Sequence, residues 1–414
     1  MCFFKNFFLV VLFLLTFACQ SPLTKVTPQS VGMSLEKLKK VDVVVEDLIA
    51  QKRLAGASVM IARQGKVCFF ETYGEMDIER KKPMREDTIF RIYSMTKAIT
   101  SAAVMQLVEQ GKIDLHVPVK NYIPEFANLK VYNNGKPRIV KKELTTAHLL
   151  THTSATLYGA PGEYGKILKK ANVLNRDHTL KTMVEKIASI PLAFEPGTDW
   201  AYGTSIDILG YLVEVVSKQE FSAYLNEHIF TPLNMKDTDF YVPAEKVERF
   251  AANYHSDGKG KLSLKDDPAK SKFLTKPTLP SGGGGLVSTT PDYMKFLLCI
   301  HNKGVLNGKR ILQEETVKLM IQNQVSKDAG YIKFGKEVRD GIGYGYGFAV
   351  AEKLSKFAPD RKVGDYGWGG MASTHYWISP EDDLVVITME QTVPYSFMLE
   401  TALKTIISES IVRD

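Results

Sequence analysis

The spacing of hydrophobic positions changes along this chain from helical to alternating and back, and each change predicts a different kind of element. SLEKLKKVDVVVEDLIAQK (residues 34–52) repeats Leu38, Val41, Val45 and Leu48 behind Ser34, which predicts an amphipathic helix with a serine N-cap. GASVMIA and KVCFFETYG flank Arg63-Gln64-Gly65 and predict a β-hairpin. Residues 98–108 carry no charge and place apolar side chains around nearly the whole circumference, so they predict a helix buried on all sides, closed by Gly111. From about residue 100 to 285 the pattern is mainly helical, with long loops rich in Pro, Gly and Lys. Strands return in YGFAV, DYGWGG, THYWIS and DLVVITM, and a last helix is expected from Pro394 with Leu399, Leu403 and Ile406 on one side. This succession predicts an α+β fold: an antiparallel sheet completed by both chain ends, flanked by N- and C-terminal helices, with a mainly helical insert. Residues 34–105 and 286–412 would form the discontinuous sheet domain and 106–285 the helical one.

Composition narrows the class. With 44% hydrophobic and 24% charged residues over 414 positions, the chain can bury a large core. The net charge of +7 is spread out, and the densest lysine run, residues 256–276, is interleaved with Asp, Ser, Gly and Pro, as in a solvated loop. No aromatic stripe accompanies it, so no nucleic-acid partner is expected. Residues 1–18 read as a signal peptide, with Lys5, an apolar run from Phe7 and Ala18 before Cys19. The run T-F-A-C resembles a bacterial lipoprotein signal, although Thr16 departs from the preferred leucine. It implies lipidation of Cys19, a linker over 19–33, and an exported cell-envelope protein touching the membrane by its anchor only. Gln20 then favours the outer membrane, facing the periplasm; ordinary cleavage near Ala18 would instead release a periplasmic or secreted protein. Cys68 and Cys299 lie in apolar runs and predict buried free thiols.

The chemistry starts from Lys97, in the first turn of the buried helix. An ammonium there faces the positive end of the macrodipole and loses its water, so it is unfavourable on two counts. Ser94 lies one turn earlier on the same face. S-x-x-K alone is weak, because Ser34-Leu35-Glu36-Lys37 fits it too, but Ser34 caps a helix carrying four lysines between residues 37 and 52, whereas Ser94 opens a buried one. A serine alcohol needs a base to become a nucleophile, a desolvated amine can serve as one, and a helix N-terminus stabilises an oxyanion. A purely structural pair remains the alternative. Tyr202, in the turn-rich EPGTDWAYGTS before the next helix, is either a proton shuttle for Ser94 or a tyrosine packed under a turn. DYGWGGMASTHYWIS sets three glycines around Trp368, which suggests close approach to a strand. If that strand is an edge beside Ser94, the N–H groups of Ser94 and Met371 would receive the oxyanion.

These three segments, in this order, resemble the serine β-lactamase and penicillin-binding-protein superfamily, and most closely the class C β-lactamase-related branch that includes the family VIII carboxylesterases. TTAHLLTHTSA (145–155), PGTDWAYGTSIDILG, SGGGGLVSTTPDYMKFL (281–297) and GYGYGFAV (343–350) extend the resemblance over roughly residues 30–412. It implies Ser94 as the acylated nucleophile, Lys97 as its base, Tyr202 as the proton partner, and Trp368-Gly369-Gly370 as the third motif, with Met371 behind it. In β-lactamases of this type the second and third motifs look like Tyr-x-Asn and Lys-Thr-Gly, and here they read Tyr202-Gly203-Thr204 and Trp368-Gly369-Gly370. A cation and two polar side chains that help hold a substrate carboxylate are missing. Tyr-x-x-x-x-Asp-x-Leu-Gly (Tyr202 to Gly210) and W-G-G look like the esterase branch, so a small-molecule short-chain acyl ester is the expected substrate. A β-lactamase or D-amino-acid peptidase is the alternative within this chemistry, and a catalytically silent envelope lipoprotein that binds a ligand is the alternative outside it.

Other constellations are weaker. Gly203-Thr204-Ser205-Ile206-Asp207 follows a turn, unlike a nucleophile elbow, and Gly282 to Gly285 lacks the lysine of a phosphate loop and reads as a flexible crossing. His148 and His152 stand four apart without a third ligand, so core or capping roles are expected of them, and neither metal nor cofactor. His375 is expected to face solvent.

Overall fold

The computed structural model describes residues 23–133, 135–356 and 361–413, so the expected signal peptide and Cys19 lie outside the described residues. Helix α1 (Leu35–Ala50) begins where Ser34 accepts the Lys37 N–H at 3.3 Å. The hairpin follows as β1 (Gly56–Arg63) and β2 (Lys66–Asp77), with a two-residue β3 (Lys82–Pro83) at the edge. Helix α2 (Thr96–Glu109) is buried along almost its whole length, and Gly111 beyond its end has a φ of +67°, open to glycine at no steric cost. Among the helices that follow, two bear on the site, labelled α3 (Ser205–Ser217) and α4 (Thr290–His301). The chain then returns to the sheet as β4 (Ile342–Tyr344), β5 (Ala349–Ala351), β6 (Tyr366–Gly370), β7 (Thr374–Ser379) and β8 (Leu384–Glu390), and closes with α5 (Met398–Ser410).

The strand order is β4-β5-β6-β7-β8-β1-β2-β3, antiparallel throughout, so the two ends of the chain meet at the β8–β1 pair. There Val59 faces Thr388 and Ile61 faces Val386. Both faces of the sheet are covered. Val59 and Ile61 join Leu38, Val41, Val45, Leu399, Leu403 and Ile407 from α1 and α5. Met60 and Ala62 point the other way, into a larger core with Ile99, Ala103, Phe296 and Leu297 from α2 and α4. Each large apolar side chain among these contributes about 1.5–3 kcal/mol of burial, and buried hydrogen bonds such as that from the Thr100 hydroxyl to the Gly282 carbonyl at 2.8 Å add to what fixes α2 between sheet and insert.

Four expectations need correction. The last helix starts at Met398, after Pro394, and turns Ile407 inward more than Ile406; Thr392–Val393, just before the proline, pair with Tyr254–His255. The lysine-rich stretch is a hairpin with Leu262–Asp266 as its second strand, tied down where Asp266 accepts the buried Arg91 guanidinium at 2.7 Å. Strand β6 is interior only at Tyr366–Gly367, which pair with β5 on the side away from β7; Trp368–Gly370 pair with β7 alone, so the expected edge beside Ser94 holds for the third motif itself. His375 is buried, because β7 is covered on both faces. Cys68 and Cys299 are free and buried, and burial pushes their thiols up to about 11 and about 12.

Candidate active site

Ser94 occupies a single 3-10 turn, Tyr93–Met95, that runs into α2. Tyr93 before it holds a φ of +40°, a conformation a bulky residue adopts only under constraint from its surroundings. The constraint comes from β6: a Cβ on Gly370 would stand 2.3 Å from the Ile92 carbonyl oxygen, so the strand end can abut this turn only because residue 370 has no side chain.

Lys97 is fully buried and donates from Nζ to Ser94 Oγ at 3.2 Å and to the Gly283 carbonyl at 2.6 Å. It has no carboxylate ion-pair partner among the described residues. The Tyr202 hydroxyl donates to the same Ser94 Oγ at 2.7 Å, and the Tyr202 ring centre lies 4.6 Å from Lys97 Nζ. One oxygen is thus shared by an amine and a phenol arriving from different elements.

Each partner is held by its own scaffold. Tyr202 sits in a turn clamped to the 152–157 segment, where the Ala201 and Thr204 N–H groups donate to the His152 and Thr156 carbonyls, both at 2.9 Å. Under the phenol lies His152, buried, with a φ of +58° and its ring 4.8 Å from that of Tyr202. Burial first, and the Lys97 charge second, keep the imidazole of His152 well below its usual range, so it is a neutral floor. His148 caps a short helix instead: its Nδ1 accepts the Thr145 N–H at 3.2 Å, which leaves no paired histidine ligand set.

The glycine run behind Lys97 is pinned by Asp207 of α3. Its fully buried carboxylate accepts the Ser281 hydroxyl at 2.5 Å, the Gly283 N–H at 3.0 Å and the Tyr158 hydroxyl at 3.4 Å. That orients the Gly283 carbonyl onto the amine. A Cβ on Gly283 would fall 2.4 Å from the Asp207 carboxylate, so the loop must be bare there. Burial raises the Asp207 carboxyl, against the pull of the Lys97 charge and of these hydrogen bonds.

Of the third motif, Trp368 closes the far wall, its ring 5.7 Å from Tyr202, 5.2 Å from Tyr344 and 6.3 Å from Phe334. Gly369 pairs with His375 across the strands, Gly370 meets the Ser94 turn, and Met371 follows with its side chain in solvent. Ser94, Lys97, Tyr202 and Trp368 therefore converge. Pattern reading missed Asp207, Tyr158, His152 and the Gly283 carbonyl; Asp207 lay inside the Tyr202–Gly210 stretch, and a backbone acceptor has no sequence signal beyond the glycines that let it approach.

A serine hydroxyl held between an amine and a phenol on this α+β scaffold is the arrangement a serine hydrolase requires. The chain belongs to the beta-lactamase family, whose model matches residues 41–405. It is 31% identical to esterase EstB of Burkholderia gladioli over 373 residues, 85% of this chain and 90% of EstB. The solved structure of EstCE1, described as a hydrolase with promiscuous acyltransferase activity, superposes with a TM-score of 0.78 at 26% identity, covering 90% of this chain and 98% of that one. Unliganded simvastatin synthase LovD from Aspergillus terreus shares the fold, with a TM-score of 0.75 at 22% identity over 90% of this chain and 98% of its own.

Proposed function

We propose that the protein is a carboxylesterase that hydrolyses short-chain acyl esters through an acyl-Ser94 intermediate. The observation that carries this reading is the shared hydrogen bonding of Ser94 Oγ by Lys97 and Tyr202. In the first half-reaction Oγ attacks the ester carbonyl carbon as its proton passes to the Lys97–Tyr202 pair. The N–H groups of Ser94 and Met371 receive the oxyanion, and Tyr202 delivers the proton to the leaving alcohol oxygen as the ester C–O bond breaks. Water then attacks the acyl-serine, its proton takes the same route to Oγ, and the carboxylic acid leaves. The absence of a lysine and a threonine from Trp368-Gly369-Gly370 and the aromatic wall of Tyr202, Phe334 and Trp368 favour an apolar acyl chain over a β-lactam. Similarity to EstB and EstCE1 supports ester chemistry, and EstCE1 adds a second reading in which an alcohol replaces water as acceptor. Export as a lipoprotein anchored at Cys19 is part of the same proposal, resting on the N-terminal sequence.

Intact-mass measurement after mixing with p-nitrophenyl butyrate, and separately with a penicillin, tests this. The expected result is ester turnover with a butyryl adduct mapped to the Ser94 peptide, both lost in Ser94→Ala, whose melting temperature is unchanged. An adduct from the penicillin alone would favour the β-lactam reading, and neither adduct nor turnover would leave the silent binding protein.

A further inference from the structure

The anchor proposed at Cys19 and the Ser94 site belong to opposite corners of the sheet. From Leu23 onward the chain lies against the folded body: Leu23, Val31 and Met33 are buried, Lys25 pairs in parallel with Val67 of β2, and the Val26 N–H donates to the Val67 carbonyl at 2.9 Å. Gln20, Ser21 and Pro22 alone separate Cys19 from Leu23, a reach of at most about 14 Å. The register of the sheet sets how far the site lies from that point. Tyr366 of β6 shares one row with Ile378, Val385, Ala62 and Val67, and Gly370, which abuts the Ser94 turn, stands four residues further along β6. Lys25, on the far side of β2, is therefore about 24 Å from Gly370 across the sheet and about 13 Å along it. The parallel pairing carries the chain from Lys25 to Leu23 away from the Gly370 end. Helices α1 and α5 cover one face of the sheet and α2 the other, so no flat surface touches both corners.

The corner nearest the anchor is basic. Lys66 follows the Gly65 turn, where a Cβ would stand 3.9 Å from the Asn302 side chain, and Lys303 comes next in that second segment. Arg310 folds back onto it, donating to the Lys303 carbonyl at 3.0 Å, with Lys309 beside it. All four basic side chains are exposed. The acids nearby are already engaged: Glu86 with Lys25 at 3.1 Å, Glu314 with Lys303 at 2.7 Å, and Asp383 with His301 at 2.5 Å. Lys66, Lys309 and Arg310 have no carboxylate partner among the described residues, so their charge is open to anionic lipid headgroups.

We propose that the corner bearing Lys66, Lys303, Lys309 and Arg310 rests on the bilayer that holds Cys19, and that the Ser94 site is thereby held off the membrane and takes its ester from water. This rests on the lipoprotein and acyl-Ser94 readings. To test it, the full-length lipidated protein is reconstituted in phosphatidylethanolamine–phosphatidylglycerol vesicles with a fluorophore at Lys66→Cys or at Met371→Cys, and lipids carrying a headgroup nitroxide are added as contact quenchers. Cys68 and Cys299 are buried, so the label goes to the introduced thiol. Quenching at residue 66 should exceed that at residue 371 by about tenfold, since a contact quencher does not span the roughly 27 Å between the corners. Comparable quenching at both positions overturns the orientation. Quenching at residue 66 should fall when phosphatidylcholine replaces phosphatidylglycerol, and an unchanged value overturns the headgroup contact. p-Nitrophenyl palmitate dissolved in the vesicles should be turned over no faster by anchored protein than by Cys19→Ser, whereas a gain of about a hundredfold would put the site in reach of the bilayer and overturn the proposal. Intact mass and p-nitrophenyl butyrate keep the underlying readings apart: an unacylated Cys19 fails the lipoprotein reading and this proposal with it, and a protein inert toward the soluble ester fails the esterase reading while the quenching still decides the orientation.

Discussion

Two lysines lie near the third motif, Lys97 fully and Lys404 largely withdrawn from water, and they are kept in opposite ways. Lys404 of α5 lies against the Glu400 carboxylate, which also has Arg361 and the His375 ring each at 3.5 Å. Burial would raise the Glu400 carboxyl, but Lys404, His375 and Arg361 together outweigh it and hold the group down to about 2. Lys97 has a carbonyl and a serine hydroxyl, and the nearest acid, Asp207, spends itself on the loop behind. A lysine fixed by a touching carboxylate is structural, since moving its proton would unbalance the pair. A lysine that touches neutral oxygens can exchange a proton with one of them, and here that one is the candidate nucleophile.

The contrast can be broken most sharply at Lys97. Lys97→Met should lower ester turnover by about three orders of magnitude or more while leaving thermal stability the same or higher, because a buried cation without a counter-ion is removed. A destabilised variant with residual rate would reverse the assignment. Glu400→Gln should do the opposite, costing about 3 kcal/mol in chemical denaturation by stranding buried cations, with acyl-enzyme formation retained. Asp207→Asn is expected to lower kcat by about tenfold with KM little changed, as the Gly283 carbonyl loses its hold on Lys97; a steady-state comparison of the two parameters checks this. The smallest effect concerns acid. Because the folded Glu400 carboxyl lies at about 2, below its ordinary value of 4.5, its contribution is whole above about pH 4.5 and is lost as pH falls toward 2. The melting temperatures of wild type and Glu400→Gln should therefore converge over that range, and a gap that stays constant would deny the carboxylate its role.

Much of the site was legible because it breaks local rules. Lys97 in an uncharged helix and three glycines in a strand are costly, and costs of that kind are kept where function repays them. The elements themselves followed from period: α1, α2 and the first hairpin were legible, as was the return of the chain to the sheet. What stayed hidden depended on covering layers. THYWIS alternates weakly because β7 is buried on both faces, so nothing in its pattern told His375 from an outward residue. Strand β6 read as an edge along its whole length because β4 and β5 are only three residues each, and β5 covers no more than Tyr366 and Gly367. The Gly282–Gly285 run read as a crossing because its contribution to the site is a backbone oxygen.

The pairing of β1 with β8 also has a consequence for biosynthesis. A ribosome that has passed Tyr202 has already made all three candidate catalytic side chains, yet β6, whose glycine end abuts the serine turn, is still untranslated. Until about the last tenth of the message is read, β1 has β2 on one side and no neighbour on the other, and the sheet cannot close. The nascent chain therefore carries the parts of a hydrolase without being one, and reactivity is delayed until the polypeptide is nearly finished.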